Sequence, residues 1–293
     1  MRYNLLSTEK QGSLLVLLAG LFWGTSGTVQ TFAPSQASPL SIGAIRISFG
    51  GIFLLLYILA TRGFQGFRGK WPLHSLFYAA LGMAGFQAFF FAAIRITGVA
   101  VGTMVAVGGS PAFAGLLGMI FFKERPSPYW YLSTFLAIIG CILLSWKNGG
   151  VKANSFGVLL ALVASFAFAL CGIGIKEIQR YHGAMETVAM TLCCGALILS
   201  PILMFHNISW LMEIQGLLVA IHLGSIATAL PYILFALGLT LVPVAKVYTL
   251  SLSEPLTACL LGILLLGERL SLHSGFGIIL ILLGLLLLSR EQK

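Results

Sequence analysis

A lysine, a glutamate and three hydroxyls lie close together on one helical face between residues 246 and 257. At about 100° per residue, Lys246, Thr249, Ser253 and Thr257 fall in one narrow stripe, with Glu254 about 80° round from Lys246. They sit inside an apolar run that opens at Pro243 and closes at Gly267-Glu268-Arg269. An ionisable side chain within such a run is a candidate functional residue by default, because hydrocarbon tolerates it only with a partner. Lys246 could attract an anionic group. The plainer reading is that it snorkels to the headgroups while the hydroxyls bond back to their own helix. A second charge, Arg46, lies in the second apolar run. At about 1.5 Å per residue, Arg46 is roughly 9 Å from one end of its run and Glu254 roughly 18 Å from the opposite end of its own, so the two share a level in a core about 30 Å thick. We expect them to pair, directly or through water, as gating or coupling residues. The alternative is that each bonds separately to backbone carbonyls of kinked neighbours.

Pro111 and Pro255 fall near the middle of their runs, where proline removes a backbone hydrogen bond and kinks the helix. Each is read as a hinge or cavity wall, against a packing kink that touches no ligand. In the first run Trp23, Ser26, Gly27 and Gln30 share a face: a ring, a hydroxyl, a gap and an amide. That face suits a ligand with an apolar body and a polar head, although aromatic stripes also build cores. Gln87, amid Phe86, Phe89, Phe90 and Phe91, is a further candidate, as are His222, Thr228 and Tyr232. His222 reads first as a hydrogen-bonded interior histidine.

Catalytic chemistry finds little to work with. The chain has no Asp and hence no aspartyl dyad, HExxH is missing, and Gly108-Gly109-Ser110-Pro111 lacks the second glycine of a rhomboid-type serine site. The five cysteines lie inside apolar runs without metal-ligand spacing and read as packing residues. No nucleotide-binding motif is present, so ATP bound to this chain cannot drive it. We expect no catalytic residue, no metal and no cofactor.

The elements that must position these residues follow from composition. Hydrophobic residues make up 58% of 293 and charged residues 9%, with a mean hydropathy of +0.99, which describes an integral membrane protein. The net charge of +9 sets orientation between the runs and gives no reason to expect nucleic acid. At about 20 residues per crossing, ten spans are expected: 13–32, 40–61, 72–94, 98–121, 128–146, 155–175, 184–205, 213–238, 242–266 and 271–289. All must be helices, since lipid satisfies no free backbone group. The lead MRYNLLSTEKQGS precedes a first span that is expected to be retained, not a cleaved signal. With both termini cytoplasmic, eleven Lys/Arg fall inside and four, Arg95, Lys147, Lys152 and Arg269, outside.

The chain repeats itself at an offset of about 144 residues. Pro111 stands under Pro255, Ala114 under Ala258, Gly118 under Gly262, Glu124-Arg125 under Glu268-Arg269, Gly140 under Gly284 and Ser145 under Ser289. Two halves are therefore expected, 1–148 and 149–293, of five spans each. Five is odd, so the second half enters the membrane inverted, an arrangement that places a site near the midplane between halves.

Phe22-Trp23-Gly24-Thr25-Ser26-Gly27, Arg46, Pro111 and SLSEPLTACLLGILLLGERLS at 251–271 resemble the drug/metabolite transporter superfamily, specifically its bacterial members with two EamA-type repeats. The resemblance covers nearly the whole chain. It implies an all-α integral membrane protein of ten helices in two inverted five-helix repeats. The first four helices of each repeat would enclose a central cavity, with the fifth and tenth at the periphery, where homo-oligomers could form. It further implies a secondary transporter of the bacterial inner membrane that moves a small-molecule substrate, such as an amino acid, amine or carboxylate, outward across the lipid bilayer. Substrate binding would fall to Lys246, Trp23, Ser26, Gln30, Thr249, Ser253, Gln87 and Tyr232. Gating or coupling would fall to Arg46, Glu254, Pro111, Pro255 and His222. A channel-like facilitator or a non-transporting scaffold is the alternative. The second half departs from the first, with Phe168 opposite Trp23, Met190 opposite Arg46 and Glu254 opposite Ser110, so the cavity should be chemically lopsided.

Overall fold

The computed structural model describes residues 2–144, 154–267 and 271–290, which form helices and connecting turns without a strand. Among the described residues, eight segments are long and apolar enough to cross a membrane: Thr8–Gln30, Pro39–Phe67, Leu73–Thr97, Val101–Phe122, Ser155–Ile178, Ala184–Leu203, Ile214–Leu241 and Val244–Leu265. Pro128–Leu143 and Leu272–Leu288 are apolar but shorter. The described residues are thus all-helical, and the protein is multi-pass. The boundary at 148/149, the basic residues Lys147 and Lys152, the pair Glu268-Arg269 and both terminal residues lie outside the described residues.

The helices are α1 (Arg2–Gln30), α2 (Pro39–Arg62), α3 (Leu73–Thr97), α4 (Val99–Gly108), α5 (Ser110–Phe122), α6 (Pro128–Leu144), α7 (Ser155–Ile178), α8 (Ala184–Leu203), α9 (Ile214–Gly224), α10 (Leu230–Leu241), α11 (Val244–Leu250), α12 (Ser253–Leu266) and α13 (Leu272–Arg290). Local chemistry sets their ends. The Ser38 hydroxyl accepts from the Ser41 N–H just before Pro39 opens α2, and the Asn154 side chain accepts from Phe156 and Gly157 N–H at the start of α7. Helices α5 and α12 stop alike: Lys123 (φ 54°) and Gly267 (φ 68°) are left-handed, and their cap N–H groups reach the Gly118 and Gly262 carbonyls.

Three of the expected spans are not continuous α-helices. The fourth breaks at Gly109 between α4 and α5, the ninth breaks at 251–252 between α11 and α12, and in the eighth a π-helical turn, Ser225–Ala229, joins α9 to α10. Proline lies at or just beyond each break, at Pro111, Pro255 and Pro231, with another at Pro201 inside α8. Each lacks the N–H owed to the carbonyl four residues back, and that carbonyl needs another donor. Ser110 Oγ donates to Val107 O (2.7 Å), Ser200 Oγ to Leu197 O (2.8 Å), and Glu254 N–H to Ser251 O (3.0 Å). These three substitutes are local. The fourth, for Ala227, comes from another helix and is described below.

Packing pairs α2 with α8, α6 with α13, α3 with α7, and α1 with both α10 and α12. Small residues let backbones approach in membranes, as they do between α6 and α13. A methyl group on Gly140 would lie 2.7 Å from Gly277 O, and one on Gly284 would lie 2.7 Å from Ser133 O. Gly140→Leu and Gly284→Leu are each expected to cost about 1–3 kcal/mol, seen as a lower thermal midpoint of the purified protein. An unchanged midpoint in both variants would contradict this close approach.

Candidate functional site

Helix α1 meets the first turns of α12 so closely that a methyl group on Gly24 would lie 2.9 Å from Glu254 O and 2.5 Å from Thr257 Cβ. Trp23, its neighbour, is buried, and its ring centroid lies 5.1 Å from that of Tyr232, 5.4 Å from Phe235 and 6.0 Å from Phe168. The wall continues from Phe168 to Tyr248 at 4.8 Å, where the tyrosine hydroxyl donates to Phe168 O at 2.5 Å. Edge-to-face rings of this kind pack rigidly and leave polar edges available. Further along α1, the buried Ser26 hydroxyl has no hydrogen-bond partner among the described residues. A side chain at Gly27 would meet nothing within 4 Å, and Gln30 is half-buried. The ring, hydroxyl, gap and amide therefore do lie together, with open space beside them.

Arg46 reaches from α2 into the π-helical turn. Its Nε donates to Thr228 Oγ1 at 3.0 Å and its Nη2 to Ala227 O at 3.3 Å, the carbonyl that Pro231 leaves without its α-helical donor. Leu230 N–H bonds back five residues to Ser225 O, so the chain is already unwound there. Glu254 lies in the first turn of α12, where a carboxylate is favoured by the helix dipole. It forms no direct ion pair with Arg46 among the described residues, and two of the five guanidinium N–H groups serve the π-turn. Arg46, Tyr232 and Glu254 are still near enough to interact electrostatically. His222 Nε2 lies 3.3 Å from Thr25 Oγ1, the hydrogen-bonded arrangement expected of it. Gln87 is 2% exposed and its Oε1 has no partner among the described residues.

The polar stripe of the ninth run is split by the break in the helix. Thr249 Oγ1 shares a hydrogen bond of 2.8 Å with Thr134 of α6, and Ser253 Oγ donates to Leu17 O at 3.4 Å. Lys246 is buried, with Nζ 2.8 Å from Glu9 Oε1. Beside it, the Glu124 carboxylate bonds Lys176 Nζ at 2.7 Å and accepts from Val244 N–H at 2.8 Å. These contacts tie α1, α5, α7 and α11 together at one end of the molecule. Glu9 and Gly27 are eighteen residues apart on α1, so this end lies about 27 Å from the open space beside Gly27. Lys246 and Glu9 meet at this end, while Tyr248, two residues further along α11, packs on Phe168 of the aromatic wall.

The sequence profile of the EamA-like transporter family matches the chain twice, over residues 10–146 and 155–290. The chain belongs to that family. An uncharacterised transporter of Bacillus subtilis (strain 168), YwfM, is 43% identical over 284 residues, 96% of this chain and 95% of that protein. The threonine/homoserine exporter RhtA of Escherichia coli (strain K12) is 30% identical over 266 residues, 88% of this chain and 83% of RhtA. A solved crystal structure shares the fold with a TM-score of 0.82 over 94% of this chain and 95% of its own, at 20% identity.

Several residues of this EamA-like transporter escaped the sequence reading. Pro231 carries the same signal as Pro111, a proline inside an apolar run, and could have been found by it. Glu9 stands four residues ahead of the first expected span, the ordinary place for a solvated charge. Lys176 likewise sits where a headgroup cation would. Nothing in their spacing says that Glu9 reaches Lys246 or that Lys176 reaches Glu124.

Proposed function

We propose that this EamA-like transporter is a secondary transporter that exports small amphipathic metabolites, amino acids or related amines and carboxylates, by alternating access across the bacterial plasma membrane. The observation that carries the reading is Arg46. A cation of the first half is held by a proline-freed carbonyl of the second half, near Glu254 and the Trp23–Tyr232 wall. Ionisable groups at broken helices between two halves are the physics of a binding site that can be exposed to either side. The open space at Gly27 and the ion pairs at the opposite end suit a molecule closed on one side at a time.

Ten spans in two inverted repeats are part of this proposal. The two profile matches fall about 145 residues apart. The matching left-handed caps at Lys123 and Gly267 support them. So do the reciprocal contacts of Gly140 and Gly284, in which the neighbours Ser133 and Gly277 stand at the same offset as the glycines. Both termini are then expected in the cytoplasm, and a periplasmic reporter signal from a tag at Lys293 would reject the ten-span topology. Threonine and homoserine are the first substrates to try, because RhtA is named for them. In proteoliposomes we expect saturable flux competed by analogues. No flux of any amino acid, amine or carboxylate tested would sink the transport reading, and non-saturable flux would favour a channel.

A further inference from the structure

Beside the Glu9–Lys246 pair lies a cavity of about 170 Å³ lined by Glu9, Glu124, Arg125, Ser127, Trp130 and Lys246. A single water needs roughly 10–15 Å³ on this measure, so there is room for a small polar molecule. The lining carries two carboxylates and two cations, a balance that suits neither a simple anion nor a simple cation. Lys246 has three N–H donors, and one bonds Glu9 at 2.8 Å. The Trp130 indole N–H is given to Ala245 O at 2.9 Å, so it offers the cavity a ring and not a donor.

We infer that this cavity is a docking vestibule for a zwitterion, an α-amino acid whose carboxylate takes Lys246 and whose ammonium takes Glu9. It rests on the amino-acid transport proposed above and adds a second site, about 21 Å along α1 from Trp23. Docking exchanges one ion pair for two without leaving a charge unpaired, which is what makes breaking a buried pair affordable. A ligand with one charge satisfies one partner and strands the other. Because Glu9 is on α1 and Lys246 on α11, the exchange also unties the two helices at this end, so the zwitterion opens its own way in.

The purified full-length protein is screened by thermal shift against L-threonine, L-homoserine and the other proteinogenic amino acids. The best binder is then compared with analogues lacking either its amine or its carboxylate; for L-threonine these are 3-hydroxybutyrate and 1-amino-2-propanol. Each analogue is expected to bind about tenfold to a hundredfold more weakly, the worth of one charge-assisted hydrogen bond. In Glu9→Gln the penalty for lacking the amine should vanish, and in Lys246→Met the penalty for lacking the carboxylate. Ser127→Cys, which leaves the pair intact, provides a reading independent of how those two variants fold: the amino acid should protect the thiol from maleimide, and the analogues should protect only at correspondingly higher concentrations. Unaltered discrimination in both variants, or a thiol at 127 that stays fully reactive, overturns the vestibule while flux in proteoliposomes keeps the transport reading. Absence of both binding and flux for every amino acid overturns both.

Discussion

Arg46→Met is expected to abolish flux and to lower the thermal midpoint, and Pro231→Ala is expected to restore the second property without the first. The single change withdraws the Nη2 donor from Ala227 O and the Nε donor from Thr228 Oγ1. A buried carbonyl left unsatisfied costs about 1–3 kcal/mol, and Glu254 loses the cation near it. An alanine at 231 returns an N–H four residues after Ala227, so the π-turn can wind back into α-helix and satisfy its own carbonyl. Stability should then recover by about the cost of that carbonyl. Flux should not recover, because the rewound turn offers no place for a cation that engages Glu254 or substrate. Arg46→Lys should behave like Arg46→Met in flux, since an ammonium cannot span both acceptors as the guanidinium fork does. Full flux in Arg46→Met/Pro231→Ala would reduce Arg46 to a structural plug.

Most of the spans were legible because lipid imposes a length and a hydrophobicity on them, and some of the matches at an offset of 144 residues have structural counterparts. Lys123 and Gly267 end their helices with the same left-handed cap, and Gly118 and Gly262 receive the closing bonds. Helix rise counts residues, and Arg46 and Glu254 stand near enough to interact electrostatically. Azimuth was not legible, and it decides who bonds whom. The guanidinium points into a turn whose irregularity depends on Pro231, and no period in α2 contains that information. Lys246 shows the same limit. Its stripe with Thr249, Ser253 and Thr257 assumes a continuous helix, but Pro255 cannot return an N–H to Ser251, and the run breaks at 251–252. What remained of the stripe was redistributed among Glu9, Thr134 and Leu17, contacts between elements far apart in the chain.

Glu124→Ala is expected to destabilise the protein more than any other single change at the Glu9–Lys246 end. Its carboxylate serves two partners at once: Lys176 Nζ of α7, and the Val244 N–H that begins α11. Removing it leaves a lysine 21% exposed without its partner and a helix N-terminus without its acceptor. Breaking a buried pair costs about 3–5 kcal/mol, and with the two side chains 14% and 21% exposed the low end of that range applies. Glu124→Gln separates the two roles, because an amide oxygen can still accept from Val244 N–H while offering Lys176 no charge. It should therefore lose less stability than Glu124→Ala. Lys176→Met alone leaves the carboxylate with the backbone donor only, and combining it with Glu124→Gln removes both charges together. The double variant should be more stable than the sum of the two single losses implies, as a removed pair is milder than a broken one. Loosening this tie also frees α11 from α5 and α7, so a thiol placed at Ser127 should react faster with maleimide in Glu124→Ala than in the parent. Strictly additive midpoints, or a thiol no more reactive than before, would mean that Glu124 does not hold this end shut.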